Sequence, residues 1–461
     1  MFRILVLLMI VTLSMVNLTA QDEDEIDPEF AASVTEIAQQ SVADLNAGEF
    51  QAVFDRFSAE VAAALPVETL QTTWETLNSQ VGAYVEELAV TTQIPPDGQV
   101  PAGSLTVILT SQFENAVLDL SFTFSPDAEM IGFFIAPGQA PASTELPAYA
   151  DPDAFTETDV IIGAETDFSL PGTLAMPTGE GPFPAVILLG GSGPTDQDGT
   201  IGPNTPLRDI AQGLATQGIA VLRYDKRTTV PAYAQQMMAL PDTAGLQSEY
   251  IDDALAAIDL LQETDGIDAA RIYIAGHSLG GTAAPRVAAQ AEGDVAGLII
   301  LAGSAVPLSD AILRQVTYLS EVDGEISEEE QAQIDAVTQA VARINGTTDD
   351  VIAADTNLLG APFSYWADVN NNPPAELAAE LDLPMLILQG EADYQVTVAD
   401  DLPLWEAAVG DRDTVSIITY AGLGHIFTPA SDPATPADYE VPADVDAAVI
   451  DDITAWINAE S

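Results

Sequence analysis

Apolar positions keep a helical period in the first part of the chain and then switch to strict alternation. VTEIAQQSVADL, FQAVFDRFSAEVAAAL and VETLQTTWETLNSQVG space apolar residues three and four apart, which predicts three amphipathic helices. Asn46-Ala47-Gly48 ends the first, and Pro66 separates the second from the third. AYVEELAVTTQI, SLTVILTSQF, AVLDLSFTF and EMIGFFIA alternate and are rich in β-branched residues, which predicts four strands. Asp97-Gly98, Glu114-Asn115 and Pro126-Asp127 supply the turns. Helices followed by a meander make a small α+β unit over residues 30–136.

The segment PGQAPASTELPAYADPDAF, residues 137–155, has no apolar period and is rich in Pro and Ala, as a linker would be. Over residues 156–461 strands and helices take turns: PAVILLGG, LRDIAQGLATQG, IAVLRYD, SEYIDDALAAIDLLQET, RIYIAGHS, GGTAAPRVAAQ and VAGLIILAGS. Near-continuous apolar strands between helices predict a doubly wound, mostly parallel α/β sheet covered on both faces. A helical stretch, about residues 309–381, interrupts the alternation and is placed to cap a site. The pattern then resumes with PMLILQGEAD, DTVSIITYAGLGH and a last helix.

Charge and composition narrow the setting. Residues 1–20 put Arg3 before an apolar run and end on Ala20 ahead of the acidic QDEDE, which predicts a cleaved secretory signal, with a retained anchor as the alternative. The chain has no cysteine, so packing alone must stabilise it outside the cell. Eleven basic residues face 72 acidic ones, a formal charge of −61, which repels nucleic acid and anionic membranes. Such a surface serves solubility or adaptation to salt.

One cluster of residues carries chemistry. Gly276-His277-Ser278-Leu279-Gly280 follows an apolar strand and opens a helix, the setting in which a serine hydroxyl is exposed on a sharp turn. A serine needs a base, and the chain has two histidines. The His277 side chain is expected to point away from its neighbour's hydroxyl, which leaves His425, in the loop after the last strand. Asp393, in the loop after PMLILQ, is the expected orienting acid, with Glu391 as the alternative. The backbone N–H of Leu279 and that of Ser192, or of Gly191 in its place, are expected to bind an oxyanion. The Gly190–Pro194 loop lacks the Gly-Lys-Ser/Thr ending of a nucleotide cradle. Arg223, Lys226 and Arg227 either brace that loop through ion pairs or anchor an anionic substrate. No metal or organic cofactor is required.

These motifs carry two family resemblances. LNAGEFQAVFDRFS, ALPVETLQTTWETL and VGAY resemble the DUF3887 domain, a small NTF2-like α+β unit often found in front of secreted bacterial hydrolases. From about Val160 to Ile457 the chain resembles α/β-hydrolases related to prolyl oligopeptidases, a group that includes secreted and cell-surface serine carboxylesterases. SLPGTLAMP, GPFPAVILLGGSGPTDQDG, VLRYDKR, YIAGHSLGGTAAPRVA, LILQGEADYQV and GLGH carry this likeness. It implies the α/β-hydrolase sheet, a triad of Ser278, Asp393 and His425, and hydrolysis of a small-molecule ester with a short acyl chain. Some relatives have His at the position of Gly190 and Arg at that of Gln197. A peptidase of the prolyl-oligopeptidase type and a non-catalytic surface-binding protein are the rival expectations.

Overall fold

The computed structural model describes residues 27–95, 100–164, 166, 168–230, 245–346 and 358–460. The expected signal, residues 1–20, and the Asp97-Gly98 turn therefore lie outside the described residues. Two compact units divide between Pro141 and Ala142.

In the first unit, helix Pro28–Ala47 begins where the Asp27 carboxylate accepts the Glu29 N–H at 2.9 Å and Pro28 presets φ. It ends at Gly48, whose φ of 77° suits a residue without Cβ. Val34, Ala38, Val42 and Leu45 form its buried stripe and pack with Trp74, Leu109, Phe113 and Phe122. β1 (Tyr84–Gln93), β2 (Leu105–Phe113), β3 (Ala116–Phe124) and β4 (Met130–Pro137) pair antiparallel in sequence order. The second expected helix is divided into Phe50–Phe54 and Ala59–Ala64. Phe57 bridges to Met130, the Ser58 N–H bonds the Met130 carbonyl at 2.9 Å, and Ser58 Oγ then caps the next helix. Tertiary pairing overrides the helical period here.

The second unit is an eight-stranded sheet in the order β12-β11-β10-β9-β7-β8-β6-β5. Its strands are β5 (Phe155–Ile162), β6 (Leu170–Pro177), β7 (Phe183–Leu189), β8 (Ala220–Tyr224), β9 (Ile267–His277), β10 (Gly297–Leu301), β11 (Met385–Gly390) and β12 (Val415–Tyr420). β7 to β12 run parallel, and β6 and β5 close one edge antiparallel. Periodicity does not single out this last pair. β5 buries only its two ends, as an edge strand can, and β6 is interrupted by Pro171 and Gly172.

Alternation along each central strand feeds two apolar layers. Ile187, Ile274 and Ile300 meet helices Asp252–Gln262 and Leu279–Gln290 on one face. Val186, Leu188, Tyr273 and Ile299 meet helices Pro206–Thr216 and Ala447–Ala459 on the other. Each such side chain contributes about 1.5–3 kcal/mol on burial.

Two expected boundaries shift. Pro137 still belongs to β4, and much of the expected linker packs on the second unit: Ser143 N–H bonds the Pro203 carbonyl at 2.9 Å, and Tyr149 lies against an apolar layer. Its aromatic residues bury surface that a solvated linker would leave in water. In the expected insertion, helices Leu308–Glu321, Glu328–Gly346 and Phe363–Asn370 gather around Ile344, Phe363 and Trp366. Helix Pro374–Glu380 departs from that group, because Ala375 and Ala378 pack into the sheet's own covering layer.

Candidate active site

β7 lies between β8 and β9, so the winding direction reverses there. In open α/β sheets the crevice at the carboxyl ends of such strands is where ligands bind. Gly190 follows β7 and Ser278 follows β9, which brings both motifs to that crevice.

Ser278 stands between β9 and helix Leu279–Gln290 with φ 55° and ψ −120°. Holding a side chain there costs on the order of 1–3 kcal/mol, so the surroundings must impose it. The Ser278 N–H bonds the Leu301 carbonyl at 2.8 Å. The flanking glycines let the turn close: a Cβ on Gly276 would strike the Gly280 carbonyl, and one on Gly280 would meet the carbonyls of Leu189 and Gly190.

Asp393 and His425 are both buried, and His425 Nδ1 lies 2.7 Å from Asp393 Oδ2. Because a carboxylate only accepts, Nδ1 is the donor, the tautomer that in a neutral imidazole leaves the lone pair on Nε2. The Asp393 carboxylate is held on its other side, where Oδ1 accepts the N–H groups of Gln395 at 2.7 Å and Val396 at 3.0 Å. Gln389 Nε2 donates to Oδ2 at 3.0 Å. Glu391 is exposed and instead accepts the Thr419 hydroxyl at 2.8 Å, away from the imidazole.

His277 does not simply turn out of the site. Its ring lies 4.8 Å from that of His425, and its Nε2 is 2.9 Å from the His425 carbonyl. Burial, and then the neighbouring His425, push His277 down to about 4, so at neutral pH it is an uncharged imidazole whose Nε2–H donates. It ties the His425 loop to the end of β9, next to Ser278. Among the described residues Ser278 Oγ makes no hydrogen bond to His425; such bonds often tighten only when substrate is bound.

Arg223, near the end of β8, and Lys226 and Arg227, just after it, are buried and paired. Arg223 reaches Glu157 at 2.7 Å and Asp198 at 2.9 Å, and Arg227 grips Asp253 at 2.7 and 2.8 Å. Lys226 Nζ reaches Glu249 at 2.7 Å and the Gly191 and Gly193 carbonyls at 2.7 and 3.0 Å. They brace the loop, and none of them lines the pocket beside Ser278.

That pocket, about 150 Å³, is lined by Ser192, Ser278, Leu279, Leu308, Ile312, Tyr365 and Val396, with Thr282, Ser304, Gln315 and Gln395 as further polar groups. Among the described residues no charged side chain lines it. Its rim is tied down by Asp401, which accepts Ser304 Oγ at 2.8 Å, Ala305 N–H at 3.0 Å and Arg314 Nη2 at 2.7 Å. Arg314 also donates to the Gln395 carbonyl at 2.8 Å, joining the insertion to the Asp393 loop.

Sheet order and the strand-to-helix elbow together define an α/β-hydrolase fold. Comparison with known proteins gives 33% identity over 413 residues to Esterase EstD of Thermotoga maritima, covering 90% of this chain and 92% of that one. The chain belongs to the α/β-hydrolase family that contains this esterase. Residues 38–133 match the family described as a protein of unknown function (DUF3887), and residues 205–428 the family described as Serine aminopeptidase, S33. Among solved structures, Est1E from Butyrivibrio proteoclasticus is 17% identical with a TM-score of 0.43, over 66% of this chain and 98% of that one. The Pyrobaculum calidifontis esterase is 18% identical with a TM-score of 0.41, over 66% and 85%.

No helix among the described residues is long and apolar enough to cross a membrane, and they contain no group of carboxylates and histidines that could hold a metal ion.

Proposed function

We propose that this chain is a serine hydrolase of carboxylic esters, working through an acyl-enzyme on Ser278. The observation that carries the proposal is the Asp393–His425 pair at 2.7 Å beside a serine held at φ 55°. Ser278 Oγ attacks the ester carbonyl as His425 Nε2 takes its proton. The tetrahedral oxyanion is bound by the N–H groups of Leu279 and Ser192, and His425 passes the proton to the departing alcohol. Water, deprotonated by the same Nε2, then releases the acid and frees Ser278.

Pocket size and lining support a short, uncharged acyl group. A volume of about 150 Å³ suits acetyl to butyryl chains, and among the described residues the lining offers no carboxylate to a peptide's amino terminus. Acetyl and butyryl esters of p-nitrophenol are expected to give the highest kcat/KM, octanoyl esters a much lower one, and dipeptide amides no detectable cleavage. A preference for octanoyl esters, or turnover of dipeptide amides at comparable rates, would overturn this part of the reading.

We also read residues 1–20 as a signal for export, supported by Arg3, the apolar run after it and Ala20 before the acidic segment. Amino-terminal sequencing of exported protein should then begin at Gln21; recovery of Met1 would favour the anchor instead.

A further inference from the structure

Lys226 is the one lysine of the chain, and it lies beneath the site without entering it. Its Nζ is 2.7 Å from the Gly191 carbonyl, 3.0 Å from that of Gly193, 2.7 Å from Glu249 Oε1 and 2.7 Å from the Tyr250 hydroxyl. Tyr250 donates its own proton to the same Gly191 carbonyl at 2.6 Å. The other Glu249 oxygen accepts the Tyr365 hydroxyl at 2.8 Å. Lys226, Glu249 and Tyr250 are all buried. An ammonium has three protons, so four oxygens around it leave none spare. Stripping it of water is unfavourable, which the carboxylate and carbonyls offset. Burial accordingly draws Lys226 below the usual lysine range, and Glu249 opposes the shift.

Peptide geometry turns this cluster into a statement about the loop. In a trans peptide the C=O and the next N–H point in opposite directions. The cis bonds found are Gly181-Pro182 and Asp432-Pro433, so Gly191-Ser192 is trans. With its oxygen drawn to Lys226 and Tyr250, the Gly191 carbonyl turns the Ser192 N–H the other way, toward the side where Ser192 and Ser278 line the pocket. The Gly190 carbonyl, by contrast, faces the Gly280 Cα, where an added Cβ would come within 2.6 Å of it. The Gly191 N–H is therefore directed away from the elbow helix. No acceptor holds the Ser192 N–H among the described residues. Three glycines in Gly190–Gly193 would let an unbraced loop turn these amides freely.

We propose that Lys226 and Tyr250 are positioning residues for catalysis: by clamping the Gly191 carbonyl they hold the Ser192 N–H where the oxyanion forms. The proposal rests on the serine-hydrolase reading and goes beyond it by assigning the preorganisation of the oxyanion site to two buried side chains that never touch substrate.

Lys226→Met keeps the apolar stem and removes every donor. It should be compared with the unaltered protein on p-nitrophenyl butyrate and on a short alkyl trifluoromethyl ketone, which adds to a serine as a tetrahedral oxyanion. The expected result is a kcat lower by roughly 10²–10³-fold, the usual loss for one oxyanion donor. KM should stay within about threefold, as for an interaction made only in the transition state, and ketone affinity should fall in parallel with kcat/KM. A kcat close to that of the unaltered protein, or a loss of kcat with ketone affinity intact, would overturn the proposal. If Lys226→Met does not fold, Tyr250→Phe decides, since it removes only a hydroxyl. About a tenfold fall in both kcat and ketone affinity supports the clamp, and unchanged values overturn it. Ser278→Ala separates this from failure of the underlying reading: if that variant keeps hydrolysis, the serine mechanism falls, and if it loses hydrolysis, an unaffected Lys226→Met removes the clamp alone.

Discussion

Alanine in place of Ser278 is expected to lower kcat for a short-chain ester by on the order of 10⁶-fold, or about 8 kcal/mol, with the fold intact. The substitution deletes only Oγ, a group that no described hydrogen bond ties to the scaffold, so no buried partner is left unsatisfied. On the proposed mechanism it also removes the attacking atom. Whatever rate remains would come from binding and from the N–H groups of Leu279 and Ser192 acting on attack by water. Relief of the strain at φ 55° is not expected, because alanine shares serine's Cβ. Equal melting temperatures and a steady-state assay on p-nitrophenyl butyrate would check both halves of the expectation.

Asp393→Asn is expected to cost about 10⁴-fold in kcat, and the surrounding hydrogen bonds say why. The N–H groups of Gln395 and Val396 both point at Oδ1, so the asparagine carbonyl oxygen must take that place. Its amide group then faces His425 Nδ1, donor against donor. The imidazole responds by moving its proton to Nε2, which can no longer accept one from Ser278. Glu391→Gln is the matched comparison, since Glu391 stands two residues from Asp393 in the same loop and its side chain bonds only Thr419 among the described contacts. Its kcat should stay within about twofold, in line with the small effect of surface changes. Equal losses in the two variants would mean that charge near the loop, and not imidazole orientation, is what matters.

How much of this is legible in the sequence differs from residue to residue. Ser278 is legible because strand, glycines and helix onset coincide within a few positions. His425 is legible by elimination in a chain with two histidines. Asp393 is harder, because carboxylates are everywhere in this chain; burial and two converging backbone N–H groups separate it from Glu391, and neither has a sequence signature. The place of His277 escapes a reading that looks only at its neighbour. Alternation along β9 was the available signal: His277 shares its face with Tyr273 and Ala275, which pack in the layer containing Leu423 and Phe427 on either side of His425. That Lys226 braces the loop is one of the two readings its position allows, but which atoms it holds is illegible, because its bonds end on main-chain carbonyls, which every residue has, and on partners 23 and 24 positions away. The break at Phe57 has a similar origin, since only the folded chain brings Met130 beside it.

Reaction of the purified protein with a fluorophosphonate tests the central claim most directly, because that reagent modifies a serine only where a neighbouring base has activated it. Peptide mass spectrometry should find one adduct, on Ser278, with ester hydrolysis falling in proportion to the fraction labelled. Full hydrolytic activity in protein labelled at Ser278, or loss of activity through an adduct on another residue, would contradict the account.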